Sequence, residues 1–244
     1  MELRITGLTG LPEIRAGDDL AALIRAAAAR AGLALDARTV VVVAQKIVSK
    51  AEGAVVDLAD ITPSALARTW AAQSGKDPRL IELVLRESVR VVKMDRGVLI
   101  TETRLGHVAA NAGVDQSNVP GTDRATVLPA DPDGSARRLR DALGCGAVIL
   151  SDTFGRPWRE GLVNVAIGVA GLGPLADLRG TRDRDGRTLG ATIVAIADEL
   201  ACAAGLVMRK AEGVPVALVS GFEWRAEEGS ARALIRPPER DLFR

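Results

Sequence analysis

The sequence predicts a mixed α/β fold, equally well described as α+β, in which mixed sheets are flanked by helices. Residues 39–44 are a β-branched run with the composition of a buried central strand, and residues 147–153 are a strand candidate whose aliphatic start runs into a polar end. Segments with helical spacing of apolar residues lie between the strand candidates, but strands and helices do not alternate strictly, which argues against a barrel. The 244 residues are enough to bury a core in one large domain or two small ones.

The amino-terminal part is predicted to begin with a short strand and a capped helix. Asp18 or Asp19 suits the N-cap, because a short carboxylate accepts hydrogen bonds from the first free amides of a helix. The predicted elements are a strand at 3–6, a loop at 7–18, a helix at 19–31, a strand at 39–44 and a polar stretch at 45–53.

Prolines and β-branched residues indicate where helices and strands lie in the middle of the chain. Pro63 and Pro78 favour helix starts, because proline lacks the amide that would be unpaired there. Asp95-Arg96-Gly97 predicts a turn between two strands. The predicted elements are a strand around 55–56, helices from 63 to 74 and from 78 to 87, strands at 89–94, 97–103 and 107–111, and a loop at 113–121.

The carboxyl-terminal part mixes clear and ambiguous segments. Residues 162–172 fit a helix or a strand equally well. The other predictions are a helix at 135–144 ending near Gly144, a strand at 147–153, a loop at 155–161, turns at 181–190, a helix at 191–204, a strand at 214–222 and an irregular tail at 236–244. We expect one domain over 1–244, with two sub-structures meeting near 181–190.

Composition excludes several classes of protein. Lys and Arg total 32 and Asp and Glu total 31, so the chain lacks the basic excess of a nucleic-acid binder. No run of about 18 uncharged apolar residues predicts a membrane span, and the amino terminus lacks a signal-peptide pattern. Cys145 and Cys202 form no CxxC pair and are predicted to be buried, reduced residues. We therefore expect a cytoplasmic protein.

Asp152 and Thr153 end the predicted strand at 147–153, just after its aliphatic run AVIL. Ligands of α/β sheets bind at the carboxyl ends of strands, so this position favours a functional role. Carboxylate and hydroxyl oxygens are hard ligands that suit magnesium or manganese better than zinc. The alternative is that Asp152 only caps a turn.

A second polar segment lies in the Gly- and Pro-bounded loop at 113–121. Asp115 and Asn118, with Asn111 just before them, place a carboxylate beside amides, which suits a hydrated cation and a nucleotide. An ordinary Asx turn is the alternative.

Cationic side chains accompany these segments. Lys46 and Lys50 lie four residues apart, and Lys50 is the better candidate to neutralise phosphate as a point charge; a solvated surface role is the alternative for both. Arg156 and Arg159 could hold an anion or a substrate carboxylate.

Other motifs favour structural roles. The segment 155–161 also contains Trp158, which is predicted to pack. His107 has no partner constellation and is predicted to be structural. Residues 171–176 match G-x-G-x-x-A by letter, but Pro174 fits that turn badly and no Walker A pattern is present, so neither dinucleotide binding nor a P-loop is favoured.

The segments carrying these residues, taken in order, resemble the coenzyme F420:L-glutamate ligase family over essentially the whole chain. They are GLPEI, VVVAQKIVSKAEG, ITETRLGHVAANAGVDQSNVP, VILSDTFGRPWREGLVNVAIGVAGL, ADELACAAGLVMRKAEGVPVALVSGF and IRPPERDLF. The resemblance is to the stand-alone ligase, without the flavin-binding domain of the fused form.

The resemblance implies a mixed α/β fold forming an intertwined homodimer. It also implies a GTP-dependent ligase that adds L-glutamate in γ-linkage to the deazaflavin precursor F420-0 or F420-1, through an acyl phosphate. Mg²⁺ or Mn²⁺, as one or two ions, is the implied cofactor, and K⁺ stimulates some members. The competing interpretations are a GTP-dependent amino-acid ligase for another carboxylate and a nucleotide-binding protein without turnover.

The resemblance also assigns site residues. Asp115, Asp152 and Thr153 are the implied metal ligands, and Asp115, Asp152 and Lys50 the implied catalytic residues. The segment 209–216 matches a further nucleotide-binding stretch. The implied GTP contacts are Leu11, Pro12, Glu13, Ile14, Gln45, Lys50, Asn118 and Glu212.

Overall fold

The structure, a computed structural model, describes residues 2–119, 121 and 123–242. The strands are Arg4–Leu8 (β1), Val40–Ala44 (β2), Val55–Asp57 (β3), Ser88–Asp95 (β4), Val98–Thr103 (β5), Val108–Ala110 (β6), Arg124–Thr126 (β7), Ala147–Arg156 (β8), Arg159–Ala170 (β9), Ala176–Asp177 (β10), Ile193–Val194 (β11) and Val216–Ser220 (β12). The α-helices are Leu20–Arg30 (α1), Gln45–Ala51 (α2), Ala65–Ser74 (α3), Pro78–Arg86 (α4), Pro132–Leu143 (α5) and Ile196–Gly205 (α6).

A five-stranded mixed sheet with the order β1-β12-β2-β8-β9 forms the centre of the molecule. Strands β2 and β8 are parallel, with Val40 opposite Ala147 and Ala44 opposite Ser151, whereas the other pairs in this sheet are antiparallel. Because β2 and β8 are parallel, their carboxyl ends meet at the same sheet edge. The polar residues that follow these two strands are therefore neighbours.

Helices cover both faces of the central sheet. Val41 and Val43 point into one core, which is closed by α1 and α5. Val40 and Val42 point into the opposite core, which is closed by α6. All four valines are fully buried, and each such side chain stabilises the fold by about 2 kcal/mol. The β-branched run at 39–44 therefore forms a central strand buried on both sides, as its composition predicts.

Part of the chain between β2 and β8 builds a third core. Helices α3 and α4 pack there with the β4-β5-β6 sheet and the β3–β7 pair. Leu58, Ile81 and Leu99 are among its buried residues. The loop that contains Asp115 belongs to this part of the molecule, because the Asp115 and Thr126 backbones form an antiparallel bridge beside β7.

The fold class is confirmed, and the helix caps follow the predicted chemistry. The Asp19 carboxylate accepts a hydrogen bond from the Ala22 amide, so Asp19 is the N-cap of α1. Gly144 ends α5 in the left-handed conformation, which glycine adopts without steric cost. Two helix starts were predicted wrongly. Helix α3 begins after the N-cap Ser64 and not at Pro63, and helix α5 begins at Pro132, after the N-cap Asp131, and not at residue 135.

Four segments differ from the prediction or were left open by it. The polar stretch 45–53 is mostly helix, because Gln45 continues from β2 without a loop. The segment 155–161 is the tip of the β8–β9 hairpin and not a loop, and the ambiguous segment 162–172 is mainly strand. The helix predicted at 191–204 starts only at Ile196, after the short strand β11.

The two cysteines, Trp158 and His107 differ in how far their positions match the prediction. Cys145 is buried as predicted, but Cys202 is exposed on α6, so its predicted burial was wrong. Trp158 is 80% exposed at the hairpin tip, so it does not pack in a core. His107 makes an edge-on contact with the ring of Phe154, with centroids 5.8 Å apart, as expected for a structural residue.

Three predictions extend beyond what the structure tests. The loop 113–121 includes Pro120, and the tail 236–244 includes residues 243 and 244, all of which lie outside the described residues. In its described part the tail contains a short 3-10 turn at Pro238–Arg240. A boundary near 181–190 stays a prediction. No described helix has the length and apolar character needed to cross a membrane.

Candidate active site

A cleft of about 360 Å³ lies at the edge of the sheet where β2 and β8 end. Its lining comprises residues 11–14, 44–47, 50, 115, 117, 118, 151–153, 164, 208–211 and 213–215. A larger cavity of about 640 Å³ lies at the opposite sheet edge, near Arg4, Arg38 and Trp224, and contains none of the predicted site residues. The smaller cleft is therefore the candidate active site.

Five segments distant in the sequence meet at this cleft. The turn 11–14 follows β1, and Gln45 follows β2 directly. Residues 152 and 153 lie in β8 just beyond the point where its pairing with β2 ends at Ser151. The loop 115–118 comes from the part of the chain that builds the third core, and residues 208–215 lead from α6 to β12. Of the predicted nucleotide and metal residues, only Glu212 does not line the cleft.

Asp152 is the more buried of the two predicted metal-binding carboxylates. Burial raises the pKa of Asp152 above its ordinary value, because removal from water disfavours the charged form. The charge of Asp115 raises this pKa further, whereas the amide of Thr153, the charge of Lys210 and the side chain of Gln45 oppose the shift. The two acids therefore line the same cleft, and the charge of Asp115 disfavours ionisation of Asp152.

Asp115 is held firmly at backbone and side chain. Its backbone exchanges two hydrogen bonds with Thr126, of 3.1 and 2.8 Å. The amide of Ser117 donates to Asp115 Oδ1 at 2.7 Å, so the Asx turn considered as an alternative is formed. Burial opposes ionisation of Asp115, but hydrogen bonds from Lys46 and Ser117 outweigh it and lower the pKa of this carboxyl. Asp115 is therefore ionised and pre-positioned.

The two lysines of α2 have different partners. Lys46 Nζ lies 2.7 Å from Asp115 Oδ2. The Lys50 ammonium is buried and donates to the Glu13 carboxylate and the Asn118 carbonyl. Lys50 therefore ties the turn 11–14 to the loop 115–118, whereas Lys46, the less favoured of the two in the sequence, is the lysine that contacts a predicted metal ligand.

Polar side chains support the segment that contains the predicted metal ligands. Gln45 is 3% exposed and accepts a hydrogen bond from the Ser49 hydroxyl at 2.9 Å. The Thr153 hydroxyl lies 3.1 Å from Asn164 Oδ1, on the adjacent strand β9. Since the amide oxygen can only accept, the hydroxyl donates to it and keeps its lone pairs available to a ligand.

The predicted anion-binding arginines lie away from the cleft, and other cationic side chains line it instead. Lys210 lines the cleft and acts electrostatically on Asp152. Arg209 also lines it, and its guanidinium pairs with Glu212 at 2.9 Å on the outer side. Arg156 and Arg159 do not line the cleft: Arg156 donates to the Glu160 carbonyl and closes the hairpin tip. The proposed substrate-carboxylate role of these two arginines has no support in this geometry.

The donor set fits a hard divalent cation. Asp115, Asp152 and Thr153 present two carboxylates and a hydroxyl to one cleft, and magnesium usually takes one or two protein carboxylates and completes its shell with water and phosphate oxygens. Among the described residues no group of three or more His, Cys, Asp or Glu side chains forms a self-sufficient metal cage. The fit is therefore to an ion that shares its coordination with a bound ligand.

Sequence reasoning did not single out Ser117, Asn164 or Lys210, although Lys210 lies inside the segment 209–216 that the resemblance implies for nucleotide binding. Ser117 lies inside the predicted loop 113–121, but which of its atoms contact Lys46 depends on the conformation of the turn. Asn164 could have been found only by pairing β8 with β9, because a residue opposite Thr153 is invisible in a linear motif. The segment 171–176 is followed by the short strand β10 and not by a helix, so it is no dinucleotide fingerprint.

The fold and this cleft define an α/β protein with a polar ligand site, rich in carboxylates and lysines, where the parallel strands β2 and β8 end. The sequence model of the family described as F420-0:Gamma-glutamyl ligase matches residues 9–221. The chain therefore belongs to the F420-0:Gamma-glutamyl ligase family.

Individual relatives agree with the family over nearly full length. The coenzyme F420:L-glutamate ligase of Methanothermobacter thermautotrophicus is 48% identical, with 100% of both chains covered. The enzyme of the same name from Methanopyrus kandleri is 49% identical, over 99% of this chain and 98% of its own. That of Halorubrum lacusprofundi is 45% identical, over 93% of this chain and 91% of its own.

Proposed function

We propose that this protein is a GTP-dependent ligase that joins L-glutamate in γ-linkage to the deazaflavin precursor F420-0 or F420-1. The observation that carries the proposal is the convergence of five separate segments on one cleft, which brings Asp115, Asp152 and Thr153 beside Lys46, Lys50 and Lys210. The family and the names of its relatives support the choice of substrates.

The reaction needs an activated acyl group, because a carboxylate and an amine do not condense in water. An oxygen of the precursor's terminal carboxylate attacks the γ-phosphorus of GTP, and GDP leaves. The glutamate amine then attacks the carbonyl carbon of the acyl phosphate, phosphate leaves, and the nitrogen loses a proton. The protein's contribution is positioning and charge neutralisation.

The residues divide these tasks. Asp115, Asp152 and Thr153 would hold Mg²⁺ or Mn²⁺, as one or two ions, and the bound metal would neutralise phosphate charge. Leu11–Ile14, Gln45 and Asn118 shape the nucleotide side of the cleft. Lys50 fixes the turn 11–14 against the loop 115–118 and adds positive charge, and Lys210 faces the same space. We include Glu212 only as a residue that orients Arg209.

The test is mass spectrometry of a purified reaction containing GTP, L-glutamate, a divalent cation and F420-0. We expect products heavier by glutamate residues and matched release of GDP and phosphate. The variants D115N and D152N should lose at least about 100-fold in turnover, since both remove a metal ligand. The control D185N alters an acid in the exposed turn 181–190 and should keep full turnover.

Three results would contradict the proposal. Full activity in D115N and D152N would refute the site, and GTP turnover that requires glutamate but yields no F420 product would indicate another carboxylate acceptor. GTP binding without turnover under all conditions would indicate a nucleotide-binding protein. The homodimer and a stimulating K⁺ ion belong to the same proposal, and light scattering of the purified protein and assays with and without K⁺ test them.

A further inference from the structure

The ammonium group of Lys46 is surrounded by oxygen atoms of one short loop. Lys46 Nζ lies 2.7 Å from Asp115 Oδ2, 2.7 Å from the Ser117 carbonyl oxygen and 2.7 Å from the Ser117 hydroxyl oxygen. A carboxylate, a carbonyl and a hydroxyl are the oxygen types that bind hard cations in proteins. In this structure the loop 115–118 therefore binds a cation that belongs to the protein itself.

Oxygen Oδ2 of Asp115 has no free lone pair left for another partner. It accepts from Lys46 at 2.7 Å and also lies 3.0 Å from the Ser117 hydroxyl oxygen, while Oδ1 accepts from the Ser117 amide. A divalent ion on Oδ2 would have to displace the ammonium. An ion on the remaining lone pair of Oδ1 would lie within a few ångströms of a like charge that is only partly screened by solvent.

We propose that Lys46 is a tethered counter-ion that competes with the divalent cation for Asp115. The inference rests on the proposed function, because it takes Asp115 as a metal ligand. Without metal, the ammonium neutralises Asp115 and keeps the loop 115–118 ordered. Metal binding releases it into the cleft, so the metal affinity of the free protein is set partly by the lysine that must leave.

The contacts assign this role to Lys46 and not to Lys50. The Lys50 side chain is 7% exposed and is bound to Glu13 and the Asn118 carbonyl. The Lys46 side chain is 17% exposed and lies at the cleft wall, at the end of a flexible stem that extends from a helix. It can therefore turn away from Asp115 without any rearrangement of the backbone.

The test measures Mn²⁺ binding to the nucleotide-free protein by the electron paramagnetic resonance signal of unbound Mn²⁺. The variant K46M removes the charge and keeps most of the apolar stem. We expect it to bind Mn²⁺ roughly fivefold more tightly or better, which is the strength of a partly exposed ion pair. K46R keeps a competing cation and should stay within about twofold of the wild type. K93M removes an exposed lysine on β4 and should not change the affinity.

A double-mutant cycle shows whether the gain comes through Asp115. In a D115N background, replacing Lys46 by methionine should bring no gain, since the neutral amide no longer holds the ammonium. The inference is overturned if K46M binds Mn²⁺ equally or more weakly, if the gain persists with D115N, or if neither protein binds Mn²⁺. Failure of the proposed function would appear separately, as missing glutamylated product from a wild-type protein whose Mn²⁺ affinity still responds to K46M.

Discussion

The Thr153 hydroxyl oxygen lies 3.1 Å from Oδ1 of Asn164, the residue directly opposite it in the β8–β9 ladder. Asn164 therefore fixes the rotamer of a predicted metal ligand from the neighbouring strand. Groups that orient a metal ligand in this way often affect affinity or activity nearly as much as the ligand itself.

We predict that N164A lowers ligase turnover about 10-fold to 100-fold. The free energy of unfolding should fall by only about 1 kcal/mol, the net contribution of one hydrogen bond. Steady-state kinetics and thermal unfolding of the same preparation check this. Equal turnover in N164A and the wild type would show that Thr153 needs no such support.

Gly205 provides an independent test of the same contact. A Cβ atom at Gly205 would lie 2.9 Å from Asn164 Nδ2 and 3.2 Å from its Cγ, so the amide would have to move. We predict that G205A reduces turnover in the same direction as N164A. Its stability should be unchanged or slightly higher, because alanine favours helix over glycine by up to about 1 kcal/mol. Loss of stability without loss of turnover would contradict this prediction.

Burial of Asp152 predicts a stability that depends on pH. The pKa of Asp152 is raised above the ordinary 3.8 by burial. At a pH between the ordinary pKa of the unfolded chain and the raised pKa of the folded protein, the folded protein holds a proton that the unfolded chain has lost. The free energy of unfolding therefore falls as the pH rises through this window. Above the window the buried charge remains a cost to the metal-free protein.

D152N should remove that cost. We predict that the Tm of the metal-free variant at neutral pH exceeds that of the wild type by about 2–4 °C, and that the difference disappears as the pH falls below 3.8. Differential scanning calorimetry with a chelator, at neutral and acidic pH, measures both values. A lower Tm for D152N at neutral pH would mean that its hydrogen bonds outweigh desolvation.

The two cysteines should differ in reactivity. Burial raises the pKa of Cys145 to about 11, so this thiol is both inaccessible and protonated at neutral pH. Cys202 is exposed. We predict that brief alkylation of the native protein modifies Cys202 alone, whereas the unfolded protein is modified at both sites. Peptide mass spectrometry checks this, and rapid labelling of Cys145 in the native state would contradict the core packing.

The sequence predicts those parts of the fold that local physics determines. Asp19 and Gly144 mark helix ends through their own backbone and side-chain preferences, and the valines of β2 mark a central strand through composition alone. Helix α2 was not predicted, because the polar residues in 45–53 gave no clear signal for a helix start. The hairpin tip at Trp158 was predicted as a loop, because its strand pairing can be recognised only from the partner strand.

The candidate site shows the same division. The position of Asp152 and Thr153 in the cleft was predictable, since they follow the aliphatic run 147–150, close to the point where the pairing of β8 with β2 ends. That Lys46 and not Lys50 contacts Asp115 was not predictable, because the two lysines share a helix and a chemistry and differ only in the direction of their side chains. The contact of Asn164 with Thr153 could be predicted only from the register of β9. The approach of Lys210 to Asp152 could be predicted only from the path of the segment after α6.

The pairing of β1 with β12 brings Arg4 opposite Ser220. During translation the first strand leaves the ribosome long before its hydrogen-bonding partner exists. The central sheet can close only after residues 216–220 have been made, and until then the valines of β2 lack a neighbour on one side. Such distant pairings slow folding and expose apolar strand edges, so chaperone supply should govern the yield of this protein in a heterologous host.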